Sequence, residues 1–374
     1  MPARIPFVDL KAQYRAHKKE IDSAIRTVIA ETSFIGGRHV EEFERAFAKA
    51  VGAKHCVSVA NGTDAIFIAL KALGIGPGDE VITTAASWIA TSEAVTQTGA
   101  RPVFVDVDRC HHMDAAKIEE KITPRTKALL PVHLYGQPAD LAALRRIARR
   151  RRLHLVEDCA QAHLAEFDGR KAGTFGVAGT FSFYPGKNLG AYGDAGAIVT
   201  SDCRLARRAR AYANHGSLRK HDHIMEGVNS RLDGLQAAIL SAKLPHLRDW
   251  TRRRQKIARL YDEALAGIPG VAIPERRTSA SHTFHLYVIR AERRDELRRF
   301  LDKRGVQTAI HYPAALPLLK AYRGFGHTPK DFPTAYRFQK EILSLPMYPE
   351  LSREAIRRVA RLIREFYRAD KAAA

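Results

Sequence analysis

The sequence predicts an α/β chain: a mainly parallel sheet covered by helices on both faces, followed by a smaller α+β unit. Three observations carry this. Short apolar runs alternate with helical stretches through the first half, and strands alternating with helices imply parallel strands joined by crossovers. Near Asn229 the texture changes to two long amphipathic stretches and then to shorter mixed elements. The chain has 374 residues, 45% hydrophobic and 27% charged, enough for one large domain with a real core plus a smaller one.

Taken in order, the apolar runs at 55–60, 80–84, 102–107, 127–132, 153–158, 180–184 and 196–200 read as strands, led by β-branched and aromatic residues such as Val57, Val81, Val103 and Phe181. Between them, 63–73 and 88–97 read as helices. The arginine-rich segments around 145–152 and 204–210 carry Leu, Ile and Ala at helical spacing, as in Leu144-Arg145-Arg146-Ile147-Ala148-Arg149. Helices follow at 232–244 and 247–268, then a strand at 284–289, a helix at 294–303, a loop holding His311-Tyr312-Pro313, and a terminal helix at 352–367. The expected division is 1–245, a large domain with an N-terminal helical segment, and 246–374, a small one.

A net charge of +21 invites a nucleic-acid reading. The arginines, however, lie on the outer faces of amphipathic helices, also at 252–254 and 357–364. No helix-turn-helix, zinc-finger or RNP signature accompanies them. The reading is therefore no nucleic acid, with a basic surface suited to anionic small substrates. Met1-Pro2-Ala3-Arg4-Ile5-Pro6 lacks the apolar core of a signal peptide, and no apolar run is long enough to span a bilayer. Cys56, Cys110, Cys159 and Cys203 show no paired spacing. A disulfide framework, a zinc site or any other metal is not expected, and the natural compartment is the cytoplasm.

The most informative stretch is Phe-Ser-Phe-Tyr-Pro-Gly-Lys-Asn-Leu-Gly-Ala-Tyr-Gly-Asp-Ala-Gly at 181–196. A Pro-Gly pair breaks the strand and leaves Lys187 on a glycine-punctuated loop among small and aromatic neighbours. Desolvation disfavours an ammonium there, which is what a Schiff-base lysine needs; the plain alternative is a solvated lysine on a turn. Asp158 ends an apolar strand, where a carboxylate needs a cationic or protonated partner unless it caps the following turn. Asn61-Gly62-Thr63-Asp64 opens a helix: Gly62 permits close approach, and Thr63 with the first-turn amides can hold an anion, although a simple N-cap fits as well. Trp88 follows the next strand, placed either for the core or to stack on a planar ring.

These parts meet the needs of pyridoxal 5'-phosphate. Lys187 would take the aldehyde, Asp158 the ring nitrogen and Gln161 the ring hydroxyl. Gly62, Thr63 and Ser182 would hold the phosphate, and Trp88 would cover the ring. Lys187 would then move the proton between carbons, the cofactor passing through pyridoxamine phosphate in turnover.

With these residues in place, the sequence resembles the DegT/DnrJ/EryC1/StrS family of sugar aminotransferases. The resemblance is carried by Pro6-Phe7-Val8-Asp9-Leu10, Phe34-Ile35-Gly36-Gly37, Asn61-Gly62-Thr63, Val132-His133-Leu134-Tyr135-Gly136-Gln137, Glu157-Asp158-Cys159-Ala160-Gln161-Ala162-His163, the Lys187 segment, Asn229-Ser230-Arg231-Leu232-Asp233 and His311-Tyr312-Pro313. It implies the three-layer aspartate aminotransferase architecture of fold type I and a homodimer with active sites at the subunit interface. Asn229 would reach the partner's cofactor phosphate, and Arg231, His311 and Tyr312 would approach the nucleotide sugar. Read without the family, Arg231 is a helix cap and His311-Tyr312-Pro313 a turn. Some relatives are dehydratases in which histidine replaces the lysine; Lys187 argues for transamination. Cys159 stands where small residues such as alanine are frequent.

The function expected is amino transfer from L-glutamate to a nucleotide-linked keto-sugar, UDP- or dTDP-linked and aminated at C3, in amino-sugar, O-antigen or antibiotic-sugar biosynthesis. The alternatives are a dehydratase of the same fold and a non-catalytic regulatory protein on it.

Overall fold

The structure is a computed structural model that describes residues 4–371. Residues 1–3, the start of the segment without a signal-peptide core, and 372–374, the end of the expected small domain, lie outside the described residues.

Seven strands form the central sheet, in the order His55–Val59, Gly196–Thr200, Ala178–Ser182, His154–Asp158, Thr126–Leu130, Glu80–Thr84, Arg101–Val105. Gly196–Thr200 runs antiparallel to both neighbours, and the other pairings are parallel. The sheet separates two cores, as the strand period of two requires. On Gly196–Thr200, Ala197 and Val199 pack with Phe43, Phe47 and Trp250, while Ile198 joins Ile68, Leu70 and Leu205 on the other side. Toward the other edge, Val81 and Ala128 face the second of these cores; Ile82 and Leu129 face a further one with Leu144 and Ile147. A sheet covered on both faces is the three-layer α/β arrangement read from the sequence.

The arginine-rich helices behave as expected. In Leu141–Arg151 the buried residues are Leu141, Ala143, Leu144, Ile147 and Ala148, and Arg150 and Arg151 face outward to pair with Glu119. Two N-terminal helices, Leu10–Glu31 and Arg38–Val51, supply the helical segment.

Strand limits moved for local reasons. The strand expected to reach 132 ends at Leu130, because Pro131 has no N–H for the ladder. The strand expected from 284 begins at Tyr287, since Phe284 has φ 47°, outside extended backbone.

The C-terminal part has its own sheet, Val271–Ala272, Tyr287–Ala291 and Ile342–Leu345, all antiparallel. Helices Leu247–Leu265, Arg294–Lys303 and Arg353–Lys371 enclose a core that includes Tyr261, Tyr287, Leu301 and Ile363. Ile5 belongs to that core too: its N–H donates to Gly305 O at 2.8 Å and its carbonyl accepts from Gln307 N–H at 3.0 Å. The start of the chain therefore crosses to the C-terminal part. No helix among the described residues is long and apolar enough to cross a membrane.

Candidate active site

The carboxyl ends of the parallel strands open onto a cavity of about 560 Å³, where ligands of such sheets bind. Asp158 enters it from the last residue of His154–Asp158. Its Oδ2 accepts from the Thr91 hydroxyl at 2.9 Å and its Oδ1 from Ala160 N–H at 3.0 Å. Burial pushes its pKa up, opposed by those two hydrogen bonds and by the Lys187 charge. Ser87 Oγ lies 2.8 Å from Thr91 Oγ1; because Thr91 gives its proton to Asp158, Ser87 donates to Thr91.

Lys187 follows the strand Ala178–Ser182 across the Pro185-Gly186 break. Its N–H is held by Tyr184 O at 2.8 Å, and its side chain lines the same cavity. Burial lowers the amine to about 8, Asp158 acting the other way. The strand break thus places the lysine in the cavity, where burial favours its neutral amine.

The helix Gly62–Ala72 points its N-terminus at the cavity. Asn61 caps it, Oδ1 accepting from Asp64 N–H at 2.8 Å. Gly62 is required by contact: a Cβ there would stand 2.5 Å from Ser182 Cβ. Gly196 is required too, its Cβ meeting Asn61 O at 2.2 Å. Backbone and side chain of Gly62, Thr63 and Ser182 are thereby gathered at one end of the cavity, with the dipole of the helix favouring an anion.

Gln161 is locked from both sides. Its Oε1 accepts from Tyr135 N–H at 2.7 Å, and its Nε2 donates to Tyr312 Oη at 3.1 Å, keeping one amide hydrogen free. Trp88 is 57% exposed, so it serves no core; its ring lies 5.3 Å from that of Tyr312 over the cavity. His311 Nδ1 sits 2.8 Å from Ser344 Oγ, and burial lowers the ring to about 4, which keeps it neutral.

Nine of the expected residues therefore meet in one cavity: Lys187, Asp158, Gln161, Gly62, Thr63, Ser182, Trp88, His311 and Tyr312. Asn229 and Arg231 do not. Both are exposed and lie outside the cavity lining, on a segment anchored by Ser230, whose hydroxyl donates to Asp64 Oδ2 at 2.6 Å and accepts from Ala60 N–H at 3.1 Å. Arg231 Nη1 donates to Asn214 Oδ1 at 3.4 Å, so it caps no helix of its own.

Sequence reasoning missed Thr91, Arg254 and His285. Arg254 is buried in the cavity wall and donates to the carbonyls of Phe284, His285 and Met347 at 3.0, 3.3 and 3.0 Å. Its neighbours Arg252 and Arg253 face solvent and pair with Asp249. The signal was the burial stripe Leu247, Trp250, Arg254, Ile257, Tyr261 at helical spacing. His285 Nδ1 lies 3.3 Å from Asn188 Oδ1, beside Lys187 in the chain, and burial holds its pKa well below the usual value.

Residues 15–364 match the family described as DegT/DnrJ/EryC1/StrS aminotransferase. The chain belongs to that family. This aminotransferase is 47% identical over 97% of its length to the dTDP-3-amino-3,4,6-trideoxy-α-D-glucose transaminase of Streptomyces venezuelae, covering 96% of that protein. It is 44% identical over 96% of its length to the UDP-N-acetyl-3-dehydro-α-D-glucosamine 3-aminotransferase of Acidithiobacillus ferrooxidans, covering 97% of it. The crystal structure of S. venezuelae DesV in complex with a ketimine intermediate superposes with a TM-score of 0.96 at 47% identity, covering 98% of this chain and 99% of that one.

The residues of this aminotransferase fit pyridoxal 5'-phosphate. The cavity joins a buried carboxylate, a lysine whose amine has no hydrogen-bond or ion-pair partner among the described residues, and a helix N-terminus packed against Ser182 at a position where only glycine fits.

Proposed function

We propose that the enzyme moves an amino group from L-glutamate to C3 of a nucleotide-linked keto-sugar, UDP- or dTDP-linked, with pyridoxal phosphate carried on Lys187. The observation that carries this is Lys187 itself: a lysine rather than a histidine, with its amine lowered to about 8, in one cavity with Asp158. The nucleotide-sugar substrate and the C3 position rest on the names of the two relatives above.

Pyridoxal phosphate supplies an electron sink that lets nitrogen leave one substrate and join another. Asp158, held by Thr91 and Ala160, would keep a proton on the ring nitrogen. Ser182, Thr63 and the first-turn amides would hold the phosphate, and Gln161 would donate its free hydrogen to the ring hydroxyl. Trp88 and Tyr312 would cover the ring. Lys187, freed when the amino donor takes its place on the cofactor, would be the base that takes a proton from one carbon and returns it to the other. The dehydratase and regulatory readings are not favoured, since the two relatives above are a transaminase and an aminotransferase of nucleotide sugars.

Asn229 and Arg231 are exposed on their own chain, which supports a homodimer in which they complete the partner's site, Asn229 at the phosphate and Arg231 at the sugar nucleotide with His311 and Tyr312. A division near residue 245, with Ile5 crossing over, and a cytoplasmic location for four free cysteines complete the proposal.

The test is a panel of 3-keto and 4-keto UDP- and dTDP-sugars with L-glutamate, followed by mass spectrometry of the amino-sugar and assay of 2-oxoglutarate. Turnover of 3-keto sugars is expected. Conversion of 4-keto sugars alone would refute the C3 assignment, and no 2-oxoglutarate would refute the donor.

A further inference from the structure

We propose that His17, Glu20 and His246 form a three-ligand site for a divalent transition-metal ion of the zinc class, away from the catalytic cavity. The ring centroids of His17 and His246 stand 4.0 Å apart, tilted by 40°. Glu20 Oε2 lies 2.6 Å from His246 Nε2, and one ligand atom from each of the three residues falls within 4.8 Å of the others. Zinc bound at about 2.0–2.1 Å in a tetrahedron keeps its ligand atoms roughly 3–3.5 Å apart. Small side-chain rotations close the gap.

The backbone directs these groups together. His17 and Glu20, three residues apart, share a face of Leu10–Glu31. Within that helix His17 departs from helical geometry, at φ −123° and ψ 19°. His246 ends the short turn Leu244–His246, just before helix Leu247–Leu265. Both rings rest on Trp250, at 5.3 and 5.9 Å between centroids.

Two imidazoles with one carboxylate suit zinc, nickel or copper and are too soft and too few for magnesium or calcium. The histidines are half-buried and Glu20 is exposed, leaving a path for the ion and room for a water as fourth ligand. The charged groups that act on His17 are His246, Glu20, Arg253 and Lys243, and a neutral imidazole offers one ring nitrogen to an ion. The cationic neighbours Arg253 and Lys243 oppose an ion here, and the Glu20 charge offsets them.

A second cluster, His133, Glu157 and Cys159, is fully buried but spent. Glu157 accepts from Gly173, Phe175 and Gly176 N–H at 2.7, 2.7 and 2.8 Å. His133 Nδ1 accepts from Ala139 N–H at 3.1 Å, so its Nε2–H donates to Glu157 at 3.0 Å. No lone pair on His133 remains.

An ion at His17 would fasten the N-terminal helix, which starts just after the cavity residues Phe7 and Val8, to the helix that carries Arg254. The test is calorimetric titration of Zn2+ into the full-length chain after removal of metals with a chelator. One ion per chain is expected, with affinity falling at least about 10-fold in His17→Gln and in His246→Gln and unchanged in Cys159→Ala. Zn2+ should also raise the melting temperature of the natural protein and not that of the double histidine variant. No saturable binding, undiminished binding in the double variant, or loss of binding in Cys159→Ala would each overturn the site.

Discussion

Thr91 donates its hydroxyl hydrogen to Asp158 Oδ2 at 2.9 Å, across 67 residues of chain. It is the only side-chain hydrogen bond to that carboxylate among the described residues, and burial otherwise drives Asp158 toward its neutral form. A hydrogen bond to the charged form favours that form. Thr91→Val keeps the shape and removes the donor. The carboxylate pKa then rises further, so the acid limb of the rate profile moves to higher pH. We expect kcat/KM to fall about 10-fold, equivalent to about 1.4 kcal/mol, with Thr91→Ser restoring most of it. A pH–rate profile of the three proteins checks this; an unshifted acid limb in Thr91→Val refutes it.

Lys187 makes stability depend on pH in a defined direction. Its amine is lowered to about 8 in the folded protein, from an ordinary 10.5. Between those values the unfolded chain holds a proton that the folded chain has released, so stability without cofactor rises with pH there. Below pH 8 the cost of the buried ammonium is present in full. Lys187→Met removes that cost. The variant should abolish transamination, resist urea better than the cofactor-free natural protein at pH 7, and lose the rise above pH 8. Equal urea midpoints at pH 7 would count against the buried charge.

Gly62 and Ser182 are in contact, and a methyl group at Gly62 would fall 2.5 Å from Ser182 Cβ. Gly62→Ala must push the helix start away from the strand end. The expected cost is about 1–3 kcal/mol of stability, with a rise in the pyridoxal phosphate dissociation constant measured by fluorescence. Unchanged denaturation and cofactor affinity would show that the contact is not tight.

Asn229 sits outside the cavity of its own chain. If it serves the partner, Lys187→Ala and Asn229→Ala subunits, each inactive alone, should regain activity when mixed and reassociated, because one site of the mixed dimer has both natural residues. Continued inactivity of a verified mixed dimer would place Asn229 in its own site.

Much of this was legible in the chain. The alternating runs around Val57, Val81 and Val156 specify a covered sheet, since a strand buried on both faces must be apolar at successive positions. Asp158, Lys187 and Gly62 could be singled out because each stands where a strand meets a loop or helix, the place where such sheets bind ligands. Trp88 was open between core and stacking, and its exposure decides for the cavity. Arg254 was hidden among arginines, and only the side of the helix it occupies distinguishes it from Arg252 and Arg253.

By itself the sequence determined the elements and the chemistry delivered at their ends, because hydrophobic period, strand breaks and helix caps act within a few residues. The tertiary structure alone decided which groups share a cavity: that Thr91 supports Asp158, that Gln161 is locked between Tyr135 and Tyr312, that Asn229 and Arg231 stand apart from their own site, and that His17 meets His246. Those contacts join positions far apart in the chain, and no local propensity encodes them. They form only when sheet, helices and crossing N-terminal segment bury their apolar faces together.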